Sequence, residues 1–510
     1  MRTYQFIKRF RVILSLLVLI GITCFFTAVR IQNVQWLSWL LKVQVVPAFL
    51  SAFIASLWVL IALLLLTLFF GRIYCSLLCP MGIFQDVVIR ISNLFKTKKQ
   101  KRFRYVKESR WLRYSILTIT VALWIVGFGL PLLLLDPNSN YGRIATHLFK
   151  PVTTLFNNGL HYIWPGSFYY QSHVAVSVLS YLLPVAIFIT IVVMSALKGR
   201  LFCNTICPVG SLLGFISKYA AFRPVINKTA CNHCAVCATK CKAECINSKE
   251  QHIDHSRCVG CFNCTVACSQ GAITYAFCWH KKSYPSLLNA QTAQARRNFL
   301  TSSGVIVATA AVYRASGGKL LTFTPSPTTV APPGARSLDH LKKLCTACQA
   351  CVAACPMRII QPTITGYGLD GLMFPAIAFK NGFCSYECNR CNQVCPSFAL
   401  ERTTIEEKKV IRIGKARFTP RRCVVTTDGT DCGACDEHCP TKAIRMVPFG
   451  NKGLLRPQVD ETYCIGCGAC EFICPTTPKA IVVLAENIHS VALSPMIEKQ
   501  EQKKVDDFGF

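Results

Sequence analysis

The sequence is short of charge, and shortest of negative charge. Only 16% of its 510 residues are charged, with 24 Asp+Glu against 56 Lys+Arg, a formal net charge of +32. With a mean hydropathy of +0.38, that deficit excludes a wholly soluble enzyme and puts part of the chain in a membrane. A nucleic-acid-binding signature is missing too. The basic residues cluster at 96–104 and beside apolar runs, so the positive excess reads as loop charge that sets topology, and nucleic acid is excluded as a partner. No C-x-x-C-H haem attachment motif occurs. Cysteine is the exception to this poverty. The 31 cysteines are about 6% of the chain, too few for a small disulfide scaffold, and most fall in C-x-x-C runs too tight for ordinary bridges. Metal ligation is the better reading.

Four apolar runs reach or approach the length that spans a bilayer: 12–28, 45–70, 115–135 and 174–197. Arg2, Lys8, Arg9 and Arg11 precede the first run, and the basic stretch 96–113 separates the second from the third, so both segments are expected on the cytoplasmic side. The stretch 136–173 carries only Arg143 and Lys150, which suits the outer side, and Lys198 and Arg200 close the fourth run inside. A short fifth apolar segment at 299–312 follows Arg296-Arg297, a pairing similar to a twin-arginine export signal, and a proline-rich linker at 323–336 comes next.

The cysteines repeat. Cys231, Cys234, Cys237 and Cys241 are spaced C-x2-C-x2-C-x3-C, and Cys258, Cys261, Cys264 and Cys268 repeat the pattern. Such spacing wraps three thiolates round a [4Fe–4S] cube while the fourth crosses to the partner cluster. One set is then Cys231, Cys234, Cys237 and Cys268; the other is Cys258, Cys261, Cys264 and Cys241, with Cys245 as a rival to Cys241. Lys242 and Ser269 replace the proline that normally follows the fourth cysteine. Four further motifs each end in Cys-Pro: Cys345, Cys348, Cys351, Cys355; Cys384, Cys388, Cys391, Cys395; Cys423, Cys432, Cys435, Cys439; and Cys464, Cys467, Cys470, Cys474. The middle two widen the first step. Structural zinc is the weaker assignment, because zinc sites seldom carry a third close cysteine and a terminal Cys-Pro. Six motifs use 24 of the 31 cysteines, and six oxidised clusters at about −2 each would lower the net charge to roughly +20.

Four of the remaining cysteines form a second repeat. Gly71-Arg72-x-x-Cys75-x3-Cys79-Pro80-x-Gly82 and Gly199-Arg200-x-x-Cys203-x3-Cys207-Pro208-x-Gly210 each lie at the expected cytoplasmic end of a span. An i, i+4 pair puts both thiols on one helix face, and proline then stops the helix. Converging, Cys75, Cys79, Cys203 and Cys207 suit a four-thiolate metal site, a thiol–disulfide relay or the lining of a quinone pocket; packing as small apolar residues is the plain alternative. Cys24 reads as packing and Cys278 as a spare thiol. His147, His161 and His173 read as solvated or structural rather than as haem or quinol ligands.

On these motifs, residues 1–279 resemble the NapH family of membrane ferredoxin-type proteins, and the chain from Ala295 resembles the NapG and MauM ferredoxins. The resemblance implies a NapH–NapG fusion: a membrane α-helical bundle of four transmembrane helices plus the short fifth apolar segment, with two α+β ferredoxin-like iron–sulfur domains. Expected boundaries are 1–222 for the transmembrane domain, 223–285 for the cytoplasmic two-cluster module, and 286–318 for the signal or anchor segment. The linker is expected at 319–340, the four-cluster domain at 341–490 and a disordered tail at 491–510. Likeness to four-cluster electron-transfer subunits pairs the first of the last four motifs with the fourth and the second with the third; sequential pairing stays open. The implied function is that of an electron carrier or quinol dehydrogenase component in the bacterial inner membrane. It would use about six [4Fe–4S] clusters, with quinone or quinol as a further cofactor, to pass electrons from the quinone pool or a cytoplasmic donor to a periplasmic reductase or cytochrome partner, its last domain being periplasmic. The alternatives are a metalloenzyme assembly factor working through the membrane cysteines, and a polyferredoxin facing wholly into the cytoplasm.

Overall fold

A basic first third followed by the apolar run 12–28 makes helix α1 (Arg2–Thr27), whose Ile22, Phe25 and Phe26 are fully buried while Ile13, Leu17 and Ile20 stay more than half exposed. A helix this apolar on its outward side is what a lipid-facing element requires. The structure is a computed structural model that describes residues 2–28, 31–51, 56–97, 101–171, 178–279, 326–450 and 453–494. The export-like segment around Arg296-Arg297, the apolar run 299–312, His173 and the tail from 495 lie outside the described residues.

The bundle continues with helices α2 (Leu57–Phe70), α3 (Pro80–Phe95), α4 (Arg110–Val126), α5 (Leu179–Lys198) and α6 (Pro208–Ser217): α1 and α5 both pack on α3, and α6 packs on α2 and α4. Among the described residues two helices, α1 and α5, are long and apolar enough to cross a bilayer, and α2 is a shorter apolar helix. Two of the four expected spans are not continuous helices. The run 45–70 contains the short helix Val45–Leu50 before α2. The run 115–135 breaks after α4, where Gly127 takes the left-handed conformation (φ +99°), and Pro131 stands in the first turn of a separate helix, Leu130–Leu135. Glycine at a helix C-terminus and proline just inside the next helix are sufficient local causes. Hydropathy averages over both.

The cysteine-rich regions attach to opposite ends of this bundle. At one end the strand Phe222–Ile226 pairs antiparallel with Ile273–Phe277, enclosing the first ferredoxin module. Tyr4, near the start of α1, receives a hydrogen bond from the Tyr275 amide (3.1 Å). Fully buried Arg113 of α4 donates to the Ser256 carbonyl (3.0 Å) and pairs with Glu108 (2.8 Å). At the other end Thr23, near the end of α1, bonds Tyr141 (2.5 Å) in the helix Pro137–Ile144, and Arg143 of that helix donates to the carbonyls of Leu133, Thr346 and Ala347 (2.9–3.2 Å). The last two belong to the 345–395 region. At 1.5 Å per residue, the 19 residues from Tyr4 to Thr23 put these two junctions about 29 Å apart along α1. The second module is built from three antiparallel strand pairs: Ile360–Thr363 with Phe374–Ile377, Ile411–Phe418 with Ile481–Val491, and Ile444–Phe449 with Leu454–Val459.

Candidate metal centres

The four regularly spaced motifs share one backbone path. The residues on either side of the second cysteine are left-handed in each: His233 and Ala235, Gly260 and Phe262, Ala347 and Gln349, Gly466 and Gly468. Five of these eight carry a β-carbon and a side chain larger than hydrogen's, a conformation that persists only where the surroundings impose it. Successive amides turned this way form a concave, electropositive nest suited to an anionic group. Amides also point at thiols: Ala347 N–H at Cys345 Sγ (3.4 Å), Leu400 N–H at Cys395 Sγ (3.4 Å) and Ala443 N–H at Cys439 Sγ (3.3 Å). Four soft sulfur donors round a small cavity, with amides aimed at the sulfurs, fit a [4Fe–4S] cube.

Tertiary packing decides which thiols share a cavity. Cys231, Cys234, Cys237 and Cys268 line one. Cys258, Cys261, Cys264, Cys241 and Cys245 line the next, and Cys245 Sγ lies 3.5 Å from Cys241 Sγ, so this cavity offers five thiols to a four-ligand group. In the second module Cys345, Cys348, Cys351 and Cys395 line a cavity, and Cys355 joins Cys384, Cys388 and Cys391 within mutual electrostatic reach. Cys423, Cys432, Cys435 and Cys474 line another, while Cys439 joins Cys464, Cys467 and Cys470. The motifs of this module therefore exchange their fourth cysteines first with second and third with fourth. The first-with-fourth pairing is wrong for this chain, because the strand pair 360–377 folds the first motif back on the second. Burial pushes the thiols of Cys348 and Cys467 up to about 12, so thiolates form there only in company with a cation such as iron.

The Gly-Arg-x-x-Cys repeat builds a different site. Cys75 sits in the short helix Tyr74–Leu77 and Cys79 caps the start of α3; Cys203 sits in Leu201–Thr205 and Cys207 caps α6. The two thiols of a motif are thus not on one helix face as the spacing suggests. Proline starts the following helix at its first position, where its missing N–H costs nothing. All four thiols are buried and lie within electrostatic reach of one another. Among the described residues no three His, Cys, Asp or Glu side chains are gathered tightly enough for a single metal ion.

A pseudo-twofold exchange of arginines holds the site. Arg72 of the first motif donates to the carbonyl of Cys203 (2.9 Å), and Arg200 of the second donates to the carbonyl of Cys75 (2.7 Å). The last glycine of each motif makes room: a β-carbon on Gly82 would stand 2.2 Å from the Cys75 carbonyl oxygen, and one on Gly210 would stand 2.1 Å from that of Cys203. Cys203 Sγ donates to Gln85 Oε1 (3.3 Å), and the Gly210 amide points at Cys207 Sγ (3.4 Å). Arg200 is neutralised by Asp86 (2.6 Å). The sequence marks Arg72 and Arg200 only as identical letters of a repeat; Gln85, Asp86, Glu108 and Ser256 carry no signal outside the fold.

The thiol groups follow one another along the molecule. Arg72 lies within reach of Cys258 on one side and of Cys203 and Cys207 on the other. Tyr74 lies within reach of Cys75, Cys79 and Asp136, and Asp136 within reach of Cys348. Beyond, the Cys384 amide donates to the Cys467 carbonyl (2.9 Å). The four thiols of the Gly-Arg-x-x-Cys repeat therefore stand between the two modules. Cys24 is exposed, and Cys278 is buried with its thiol on the Ala276 carbonyl. His147 Nδ1 pairs with the Arg143 carbonyl (3.0 Å) and His161 Nδ1 with that of Phe168 (2.5 Å), both local helix or loop contacts.

Comparison with known proteins agrees with this division. A family model described as a 4Fe-4S binding domain matches residues 51–102 and 182–228, the two segments that carry the Gly-Arg-x-x-Cys repeat. Two described as 4Fe-4S dicluster domains match 344–411 and 430–477, the two halves of the second module. Ferredoxin-type protein NapG of Escherichia coli is 31% identical over 209 residues, covering 38% of this chain and 88% of NapG. Ferredoxin-type protein NapF of E. coli is 30% identical over 137 residues, covering 27% of this chain and 74% of NapF. The putative electron transport protein YccM of E. coli is 24% identical over 222 residues, covering 43% of this chain and 54% of YccM. No solved structure matches. With 4Fe–4S domains in both halves and relatives of this coverage, the chain belongs to the ferredoxin-type iron–sulfur proteins exemplified by NapF and NapG.

Proposed function

We propose that this chain is a NapH–NapG-like fusion that conducts electrons across the bacterial inner membrane, from quinol or a cytoplasmic donor to a periplasmic reductase pathway. The single observation that carries the reading is the order of groups from the first module, through buried Cys75, Cys79, Cys203 and Cys207 and then Tyr74 and Asp136, to Cys348 of the second module. The 24 motif cysteines would hold six [4Fe–4S] clusters, which supply one-electron redox chemistry when bound. The protein's own part is positional. Left-handed residues beside Cys234, Cys261, Cys348 and Cys467 aim amides at the sulfurs, Arg113 and Arg143 fix a module at each end, and the crossed arginines clamp the central thiols. Apolar side chains on the outside of α1 and α5 support a membrane position, and the basic loops support a cytoplasmic position for the first module.

The test is iron and acid-labile sulfide counting on anaerobically purified full-length protein, with reduction of both modules by a quinol followed by low-temperature spectroscopy. The expected result is about six clusters, with the second module reduced through the first; Cys75→Ser with Cys203→Ser leaves the module clusters in place and stops the second module from filling. Equal filling of the second module in that variant refutes the route. Accessibility of the second module only from the cytoplasmic side of sealed vesicles refutes the topology.

A further inference from the structure

A cavity of about 530 Å³ opens where α1 and α3 meet the first ferredoxin module. Six cations line it: Lys8, Arg11, Arg90, Lys101, Lys240 and Lys242. Its one carboxylate, Asp86, is already shared between Arg200 and Lys242. Lys8, Arg90, Lys101 and Lys240 make no salt bridge among the described residues. Arg11 is 6% exposed; one of its terminal nitrogens donates to the Ser76 carbonyl (3.0 Å), but its Nε has no hydrogen-bond partner. A guanidinium N–H buried beside a cavity and left unbonded is costly unless an acceptor fills that cavity. The acceptor that suits so many cations is an anion.

The walls are not only polar. Val12, Leu16 and Val87 line the same cavity, and Leu16 is 40% exposed on the outward side of α1. Ile91, Leu94 and Phe95, neighbours in α3 of the lining residues Arg90 and Asn93, are 52%, 75% and 86% exposed. A free aqueous anion has no use for such a flank, whereas acyl chains do. Oxidation of a quinol does not suit the cavity, since two protons must leave and no histidine or unpaired carboxylate lines it.

We propose that this cavity binds the phosphate headgroup of an anionic glycerophospholipid, held by Lys8, Arg11, Lys101 and Lys240, with the acyl chains lying over α1 and the exposed end of α3. Basic pockets beside transmembrane helices at the cytoplasmic face take such headgroups. The inference rests on the reading that the bundle sits in a bilayer with this end inside. The lipid would tie the first module to the membrane floor, since Lys240 and Lys242 belong to the module and Lys8 and Arg11 to α1.

The experiment uses the full chain in neutral detergent, titrated with phosphatidylglycerol, phosphatidylcholine or inorganic phosphate, with bound molecules counted by native mass spectrometry. Wild type is expected to bind phosphatidylglycerol at least tenfold more tightly than phosphatidylcholine. Lys8→Gln, Lys101→Gln and Lys240→Gln combined should weaken that binding about a hundredfold, at about fivefold per cation. A control that removes the same charge far from the cavity, Lys249→Gln, Lys380→Gln and Arg421→Gln combined, should stay within twofold of wild type. Equal binding of the two lipids, equal loss in both triple variants, or displacement of the lipid by inorganic phosphate overturns the proposal. Fractionation of the chain with membranes in cells tests the bilayer reading separately, so failure of headgroup selectivity in a membrane-bound chain counts against the cavity alone.

Discussion

Gly210→Ala is the sharpest single test of the central site. Gly210 lies in the first turn of α6 with ordinary helical geometry, so alanine is acceptable to the backbone and would gain roughly 0.5–1 kcal/mol in an open helix. Space is what forbids it: the new β-carbon would stand 2.1 Å from the Cys203 carbonyl oxygen and 2.7 Å from an Arg72 terminal nitrogen. Ordinary contact needs about an ångström more, so either α6 retreats or Arg72 lets go of the carbonyl. Overpacking costs about 1–3 kcal/mol, and a lost hydrogen bond from a charged donor costs about 1.5–3. Net of the helix gain, either cost alone leaves a destabilisation of roughly 1–2 kcal/mol and both together about 2–5 kcal/mol. Gly159→Ala is the control, because Gly159 lies in the helix Lys150–Ile163 with nothing within 4 Å of its would-be β-carbon. In detergent, thermal loss of the visible cluster absorbance should come much earlier for Gly210→Ala than for wild type, and unchanged or later for Gly159→Ala. The twofold relation adds a second arm: Gly82→Ala should behave like Gly210→Ala. Identical melting of Gly210→Ala and Gly159→Ala would refute the crossed-arginine account.

Asp86→Asn leaves Arg200 and Lys242 buried without their carboxylate and should cost about 3–5 kcal/mol at pH 7. Burial alone would raise Asp86, but Arg200 and Lys242 hold it well below the usual carboxylate range. The wild-type advantage should therefore be complete above about pH 4 and shrink as pH falls further toward the depressed folded value, read as unfolding midpoints of the two proteins against pH. Arg143→Met removes four hydrogen bonds at the junction with the second module; the loss of roughly 3–5 kcal/mol should show as faster protease release of that module with its iron retained. Cys241→Ser and Cys245→Ser should each keep full iron, because the neighbouring thiol stands 3.5 Å away, and only the double variant should lose about four iron atoms per chain.

How far the fold can be read from the letters depends on the range of the interaction. Motif spacing is local, so the gathering of Cys345, Cys348 and Cys351 round one cavity is legible from the sequence, whereas the left-handed turns at Ala347 and Gln349 that shape it are not. Which motif donates its fourth cysteine depends on the strand pair 360–377, a tertiary fact, and a resemblance to other four-cluster proteins points the wrong way. The breaks at Gly127 and Pro131 are written plainly enough, yet a hydropathy window sees only leucine on either side. The proline of each Cys-Pro in the Gly-Arg-x-x-Cys repeat announces a helix boundary but not its direction. It opens α3 and α6 instead of merely closing the turn before, and this sets Cys79 and Cys207 at helix caps. The exchange of Arg72 and Arg200 joins segments more than 120 residues apart, and no local pattern encodes it.

Buried charge gives the strongest reason to expect an anionic group among the central thiols. Arg72, Arg113, Arg143 and Arg200 are the largest fully buried side chains. Arg113 has Glu108 at 2.8 Å and Arg200 has Asp86 at 2.6 Å. Arg143 lies within electrostatic reach of Asp136. Arg72 has none of this among the described residues: it donates to Asn204 Oδ1, to the carbonyls of Ser256 and Cys203 and, at 3.9 Å, to Cys75 Sγ. Dipoles solvate a cation but do not neutralise it, and an unpaired buried cation costs several kcal/mol. The negative charge nearest to hand is whatever the four thiols carry. Protonated, they supply nothing; a single thiolate among them supplies the one negative charge that Arg72 lacks. Cys75→Ser with Cys203→Ser should then do more than remove ligands. It should destabilise the bundle through Arg72, and Arg72→Met in the same protein should restore part of the loss. A further loss from Arg72→Met in that background would mean that the arginine is content with its carbonyls and that the thiols were never its counter-charge.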